Sequence, residues 1–351
     1  MPPFSAGRPL PTTVSLSRRR LLGAGLAAGV AGILGNLSAC SSGTASQAGS
    51  AAGGLTIGLT YTPNIQFGPF YLAASRGQYA PDVKLRHHGA QEGLFDALAA
   101  GTEQVVIAGG DEAAVAASNG SDLVVIGGCY QKYPVCVIVP ESSPITDLAG
   151  LRGRSVGLPG RYGENWFALE LAMDTAGLAE DDLDIQEIGF TQQAALIGGK
   201  VEAIVGFSNN DAVQIGLAGT PVRLIPIAEQ IPLLGVSIIT SRAVLDQHRT
   251  ELIDLVTASA AGMTAFVNEP DAAVEATKAY LPDLADATEV AKAREVAVST
   301  GELIRPSEKT VIGALVQEHV GDMIDFLSGH NLLGEVAITS DDICDPLLTV
   351  S

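Results

Sequence analysis

The sequence predicts an α/β protein of two lobes, each built on a doubly wound sheet, with a ligand cleft between them and a helical C-terminal part. Three observations carry this. Short apolar strands alternate with helical patterns twice over, once before residue 140 and once after it. Two segments break the rhythm, one around Pro140 and Pro144 and one around Leu234 and Gly235. Beyond residue 240 only helical patterns remain, and helices without a sheet of their own must pack on one already made.

In the first run, strands over 55–60, 83–87, 104–108 and 123–127 alternate with helices over 67–76, 93–100 and 111–118. The second run opens with a strand over 155–158 and a helix over 164–176 that Gly177 terminates. Strands over 185–190, 203–207 and 222–227 follow, with helices over 192–198 and 211–218 between them. This alternation predicts parallel βαβ units. One more strand, 236–240, precedes helices over 242–266, 271–280, 289–300 and 308–327. The first lobe is therefore expected to comprise 55–139 and 237–340 and the second 140–236. Hinges at Ile138–Glu141 and Gly235–Ile239 would permit closure about a ligand.

The start of the chain reads as an export signal. Arg18, Arg19 and Arg20 precede an uncharged run from Leu21 to Gly35 that is shorter than the roughly 20 apolar residues of a spanning helix. The arginine pair suits the twin-arginine route. Leu37-Ser38-Ala39-Cys40 is similar to a bacterial lipobox, which makes Cys40 the expected lipidated residue and residues 1–39 the signal peptide. Residues 40–54 are rich in Ser, Gly and Ala and read as a flexible tether. The body is thus expected outside the cell membrane, held to its outer face by lipid.

Lys and Arg total 20 against 39 Asp and Glu, and removal of residues 1–39 takes four arginines and no acid, so the body carries −23. That charge disfavours nucleic acid as a partner. Beyond Cys40 only Cys129, Cys136 and Cys344 remain, without metal spacing, so no metal site is expected. Cys129 and Cys136 are either ordinary buried thiols or a bridge. His87-His88 reads as a surface pair, because neighbours on a strand point to opposite faces.

Ligands of open α/β sheets sit beyond the carboxyl ends of strands. Four loops qualify. Tyr61 to Tyr71 is aromatic and amide-rich in a chain with only 5% aromatics, and Tyr61 and Asn64 are its best ligand candidates. Asp111 is either a ligand contact or the N-cap of its helix. The loop from Pro159 to Trp166 offers Glu164 as an acceptor, Asn165 as an amide, and Trp166, which either stacks on a flat ring or fills the core. Asn209 follows a strand of the second lobe and can bond a heteroaromatic edge or cap a helix. These loops hold no histidine, and the chain has no Gly-x-Ser-x-Gly elbow, phosphate loop or His-Glu-x-x-His, so binding is expected rather than catalysis, with no cofactor.

Three stretches resemble a known family. They are Tyr61-Thr62-Pro63-Asn64 with Phe70-Tyr71-Leu72-Ala73 and Arg76-Gly77-Gln78-Tyr79; Asp147-Leu148 through Arg152-Gly153-Arg154-Ser155-Val156-Gly157; and Gly199-Lys200-Val201-Glu202-Ala203-Ile204. Over 55–327 the chain resembles the ABC substrate-binding proteins for thiamine pyrimidine precursors, sulfonates, taurine and nitrate, with the related thiamine-pyrimidine synthases. The resemblance implies a periplasmic-binding-protein type II fold, a small-molecule ligand, and permease and ATPase subunits as partners of a monomer anchored to the membrane. Tyr-Thr-Pro-Asn is similar to the Trp-Thr-Pro-Asn of pyrimidine binders, so a hydroxymethylpyrimidine-type precursor or riboflavin is the expected ligand. A sulfonate or nitrate, held by Arg161 and helix N-termini, is the alternative. Phe67 stands where the synthases carry the histidine they consume, which argues against that enzyme. A ligand-free adaptor for a surface sensor is the remaining class.

Overall fold

The computed structural model describes residues 54–89, 92–227 and 231–348. The expected signal peptide, Cys40 and all of the tether except Gly54 lie outside them. Among the described residues the strands are β1 (Thr56–Leu59), β2 (Lys84–His87), β3 (Val105–Gly109), β4 (Leu123–Gly128), β5 (Val135–Pro140), β6 (Ser155–Leu158), β7 (Asp184–Glu187), β8 (Ala203–Phe207), β9 (Val222–Ile225) and β10 (Val236–Ser241). The helices are α1 (Gly68–Ser75), α2 (Asp96–Ala99), α3 (Gly110–Ser118), α4 (Gly163–Ala176), α5 (Gln192–Ile197), α6 (Asp211–Leu217), α7 (Arg242–Asn268), α8 (Pro270–Thr277), α9 (Ala287–Ile304), α10 (Gln317–Gly329) and α11 (Ser340–Ile343).

The strands form two five-stranded sheets, ordered β2-β1-β3-β10-β4 and β7-β6-β8-β5-β9. Both are mixed. β10 runs antiparallel to β3 and β4, and β5 runs antiparallel to β8 and β9, while the βαβ units are parallel as expected. The cause is the route of the chain. β4 ends at the carboxyl edge of its sheet and the chain passes straight to the matching edge of the other, so β5 must run back against its neighbours; β10 repeats this on the return. The sequence predicts a hinge over Ile138–Glu141, and the strands expected from it include none over Val135–Pro140. That segment instead pairs wholly within the second sheet, so the crossing lies before Val135.

A second difference lies near the C-terminus, where a helix was expected from Glu308 and α10 begins only at Gln317. Gly313 adopts φ +86°, its carbonyl accepts from the Gly128 amide at 3.2 Å, and the Gln131 side-chain amide donates to the Ala314 carbonyl at 2.9 Å. These bonds tie the segment to the crossing and withhold its carbonyls from a helix.

Helices cover both faces of each sheet. One core joins α3, α10 and the inner faces of both sheets with α4; a second lies between the first sheet and α1, α7, α8 and α9; a third lies under α5 and α6. The α1–α7 crossing depends on Gly262, where an added methyl would come within 2.3 Å of the Pro69 carbonyl oxygen. α4 closes as the sequence predicts, with Gly177 at φ +62°. Cys129, Cys136 and Cys344 are free and buried, so the bridge weighed for the first two is not formed.

Candidate functional site

The N-termini of α3, from the first sheet, and α4, from the second, meet where the carboxyl ends of β3 and β6 face one another. Asp111 and Glu112 open α3 and Glu164 opens α4, so three carboxylates gather at two helix starts that favour negative charge. Asp111 is fully buried and accepts from the Tyr133 hydroxyl at 2.8 Å, with the Glu164 carbonyl oxygen 3.2 Å from that hydroxyl. Glu112 accepts from the Gly109 amide at 3.2 Å and reaches across to α4, where a methyl on Gly163 would come 2.7 Å from Glu112 Oε1. Gly163, at φ +67°, makes that approach possible. Burial pushes all three acids up, Glu112 to about 7; the charge of Glu112 adds to the effect on Asp111, and the charges of Asp111 and Glu112 add to that on Glu164.

Three buried acceptor oxygens, Glu164 Oε1, Asn165 Oδ1 and Asn209 Oδ1, find no hydrogen-bond partner among the described residues, an arrangement that costs free energy unless a donor arrives. Asn209, fully buried beyond β8, donates through Nδ2 to Thr300 Oγ1 of α9 at 2.9 Å and lies 3.5 Å from the Tyr130 hydroxyl. Tyr130 in turn stands close enough to Gln66 and Glu164 for both to act on its hydroxyl, whose pKa burial raises. The two tyrosines of the crossing segment therefore touch both lobes, Tyr133 through Asp111 and the Glu164 carbonyl and Tyr130 through Asn209 and Gln66. Tyr130 and Tyr133 were not among the candidates, although they follow the strand expected over 123–127, in the segment that crosses between the sheets.

At the rim, the Tyr61 ring faces the Phe190 ring from the other sheet, with centroids 6.4 Å apart. Both are unusually open for aromatics, at 50% and 69% exposure, and Tyr162 is likewise exposed. Phe190 was not among the candidates, although it follows β7 as Tyr61 follows β1. Asn64 spends its side chain on its own turn, accepting from the Gln66 amide at 2.8 Å and donating to the Thr62 carbonyl at 3.0 Å. Trp166 takes the core role of the two that were weighed: it is 7% exposed, and the Arg161 guanidinium covers its ring 4.9 Å from the centroid. Arg161 is also paired with Glu180 at 2.6 Å and Glu187 at 3.2 Å.

The histidine pair is not on the surface. His88 is buried and lies 2.9 Å from Glu103 Oε2, while half-buried His87 bonds the Tyr61 carbonyl and the Tyr71 hydroxyl. Adjacent strand residues do point to opposite faces, as expected, but both faces of this sheet are covered.

A model of the NMT1/THI5-like family matches residues 64–273. The riboflavin-binding protein RibY of Chloroflexus aurantiacus is 31% identical over 234 residues, which span 65% of this chain and 67% of that protein. Among solved structures, the aliphatic sulphonate binding protein SsuA of Escherichia coli aligns with a TM-score of 0.68 at 17% identity, over 84% of this chain and 93% of its own. The alkanesulfonate-binding SsuA of Xanthomonas axonopodis pv. citri, bound to MOPS, aligns with a TM-score of 0.64 at 17% identity, over 85% of this chain and 100% of its own. The desulfurization enzyme DszB aligns with a TM-score of 0.53 at 16% identity, over 84% and 96%. These structural likenesses establish the two-lobed fold of periplasmic binding proteins.

Proposed function

We propose that this chain, which belongs to the NMT1/THI5-like family, is the exported solute-binding component of an ABC importer and captures a flat heterocycle rich in hydrogen-bond donors. The observation that carries this reading is the set of acceptors without a partner among the described residues, Glu164 Oε1, Asn165 Oδ1 and Asn209 Oδ1, with buried Asp111 and half-buried Glu112 close to Glu164. A ligand with N–H or O–H groups would satisfy the Asn165 and Asn209 amide oxygens, which only accept, whereas a sulfonate or nitrate brings only acceptors to them. Arg161, the cation considered for an anion, is held by Glu180, Glu187 and the Trp166 ring. Riboflavin, the ligand in the name of the RibY relative, pairs a flat ring with a hydroxylated chain, and a thiamine pyrimidine precursor offers an amine on a smaller ring. The open rings of Tyr61 and Phe190 suit the flat part of either.

On this reading Tyr61, Glu164, Asn165, Asn209 and Phe190 contact the ligand, Asp111 holds Tyr133, and Asn64 and Trp166 shape the loops. Cys40 carries the lipid, and the permease and ATPase are the partners of a monomeric binder without catalysis of its own. Titration of residues 41–351 with riboflavin and with hydroxymethylpyrimidine tests the ligand. Binding of either one, lost in Glu164→Ala, supports the reading; binding of methanesulfonate alone refutes it.

A further inference from the structure

An imidazole tethers the loop that carries Tyr61 to β2. His87, at the end of β2, sits in a box of rings: Phe67 at 5.5 Å and Tyr71 at 5.7 Å between centroids, and Tyr280 of the segment after α8 at 6.1 Å, itself stacked on Tyr71 at 4.0 Å. Both ring nitrogens are used. Nδ1 lies 2.9 Å from the Tyr61 carbonyl oxygen and Nε2 lies 2.8 Å from the Tyr71 hydroxyl. A carbonyl only accepts, so Nδ1 carries the proton; Nε2 then offers a lone pair and the Tyr71 hydroxyl donates to it. The tautomer is set by its two partners.

We propose that His87 is a positioning residue for ligand capture, fixing the backbone of Tyr61 so that its ring stands opposite Phe190 at the cleft rim. The claim rests on the cleft reading above. Beyond this bond, the Tyr61 side chain is half exposed, its amide makes the short turn to the Leu59 carbonyl at 2.8 Å, and the preceding residue is held by Thr60 Oγ1, which donates to the Ile107 carbonyl of β3 at 2.7 Å. Among the described residues the His87 bond joins this loop to β2, and β2 is paired in register with β1. Burial lowers the His87 pKa, consistent with the neutral tautomer at neutral pH.

Two substitutions separate the two bonds. An asparagine amide nitrogen falls where Nδ1 stood, so His87→Asn keeps the bond to Tyr61 and gives up Tyr71; a glutamine amide reaches the Nε2 position, so His87→Gln keeps Tyr71 and releases Tyr61. Hydrogen exchange of the Tyr61, Thr62 and Asn64 amides in the ligand-free protein, with riboflavin titration alongside, reads the difference. The expected result is at least tenfold faster loop exchange and at least tenfold weaker riboflavin binding in His87→Gln, with His87→Asn within about threefold of the natural protein on both. Equal losses in the two variants would reduce His87 to packing, and unchanged exchange in His87→Gln would overturn the proposal. If the natural protein binds no riboflavin, the ligand reading fails by itself and the exchange measurement alone decides the role of His87.

Discussion

Tyr61 and Phe190 face each other across the two sheets, 6.4 Å between ring centroids, each on the loop that follows a strand at the carboxyl edge. Their separation spans the boundary that lobe closure would narrow, and both rings are held open to solvent. Alanine at either position is expected to weaken heterocycle binding by about 1–2 kcal/mol, roughly 5- to 30-fold in Kd. The double substitution should cost less than the sum, because a ring left alone stacks on one side only. Fluorescence titration of the three variants checks both points.

The carboxylates of Asp111, Glu112 and Glu164 predict an unusual pH dependence. Their folded pKa values are raised, chiefly by burial, with Glu112 at about 7. The folded protein therefore binds protons that the unfolded chain releases, so this contribution to stability is fully present below about pH 4.5, the ordinary glutamate value, and is lost as pH rises through about 7. Thermal unfolding should show Tm falling over that window. Glu112→Gln and Glu164→Gln are each expected to flatten the fall and to raise Tm at pH 8 by a few degrees.

Glu103 makes a separate prediction in the first sheet. It is fully buried, accepts from Arg86 at 2.6 Å and lies 2.9 Å from His88 Nε2. Glu103→Ala strands His88 in the interior and should cost about 3 kcal/mol, the low end for a broken buried pair because Arg86 remains partly solvated. Gly58→Ala should also destabilise, since the added methyl would meet Glu103 Oε2 at 2.0 Å. Chemical denaturation measures both.

The unequal legibility of fold and cleft has a physical cause. Parallel βαβ units announce themselves through local alternation, and β1, β3, β6 and β8 lie where that pattern puts them. β5 has the same apolar character but no helix beside it to mark it as a strand, and the direction of β5 and β10 follows from the crossings, which no local pattern encodes. That Glu164, Asn165 and Asn209 stand in loops after strands was legible, because those loops are rich in glycine or amides; that each buries an acceptor oxygen follows from packing. Trp166 and Asn64 were legible as loop residues but not in orientation, since burial of the indole and the turn around Asn64 arise from packing and backbone geometry. Phe190 was hidden inside an expected strand over 185–190 that in fact stops at Glu187. His87 needed the far partners Tyr61 and Tyr71 to acquire meaning.

The central claim is that the cleft selects donors over anions, and direct calorimetric titration of one preparation with riboflavin and with methanesulfonate tests it most directly. Saturable one-to-one binding of riboflavin, weakened at least tenfold by Glu164→Ala, with no heat from methanesulfonate, is the predicted result. Saturable binding of methanesulfonate with none of riboflavin would contradict it.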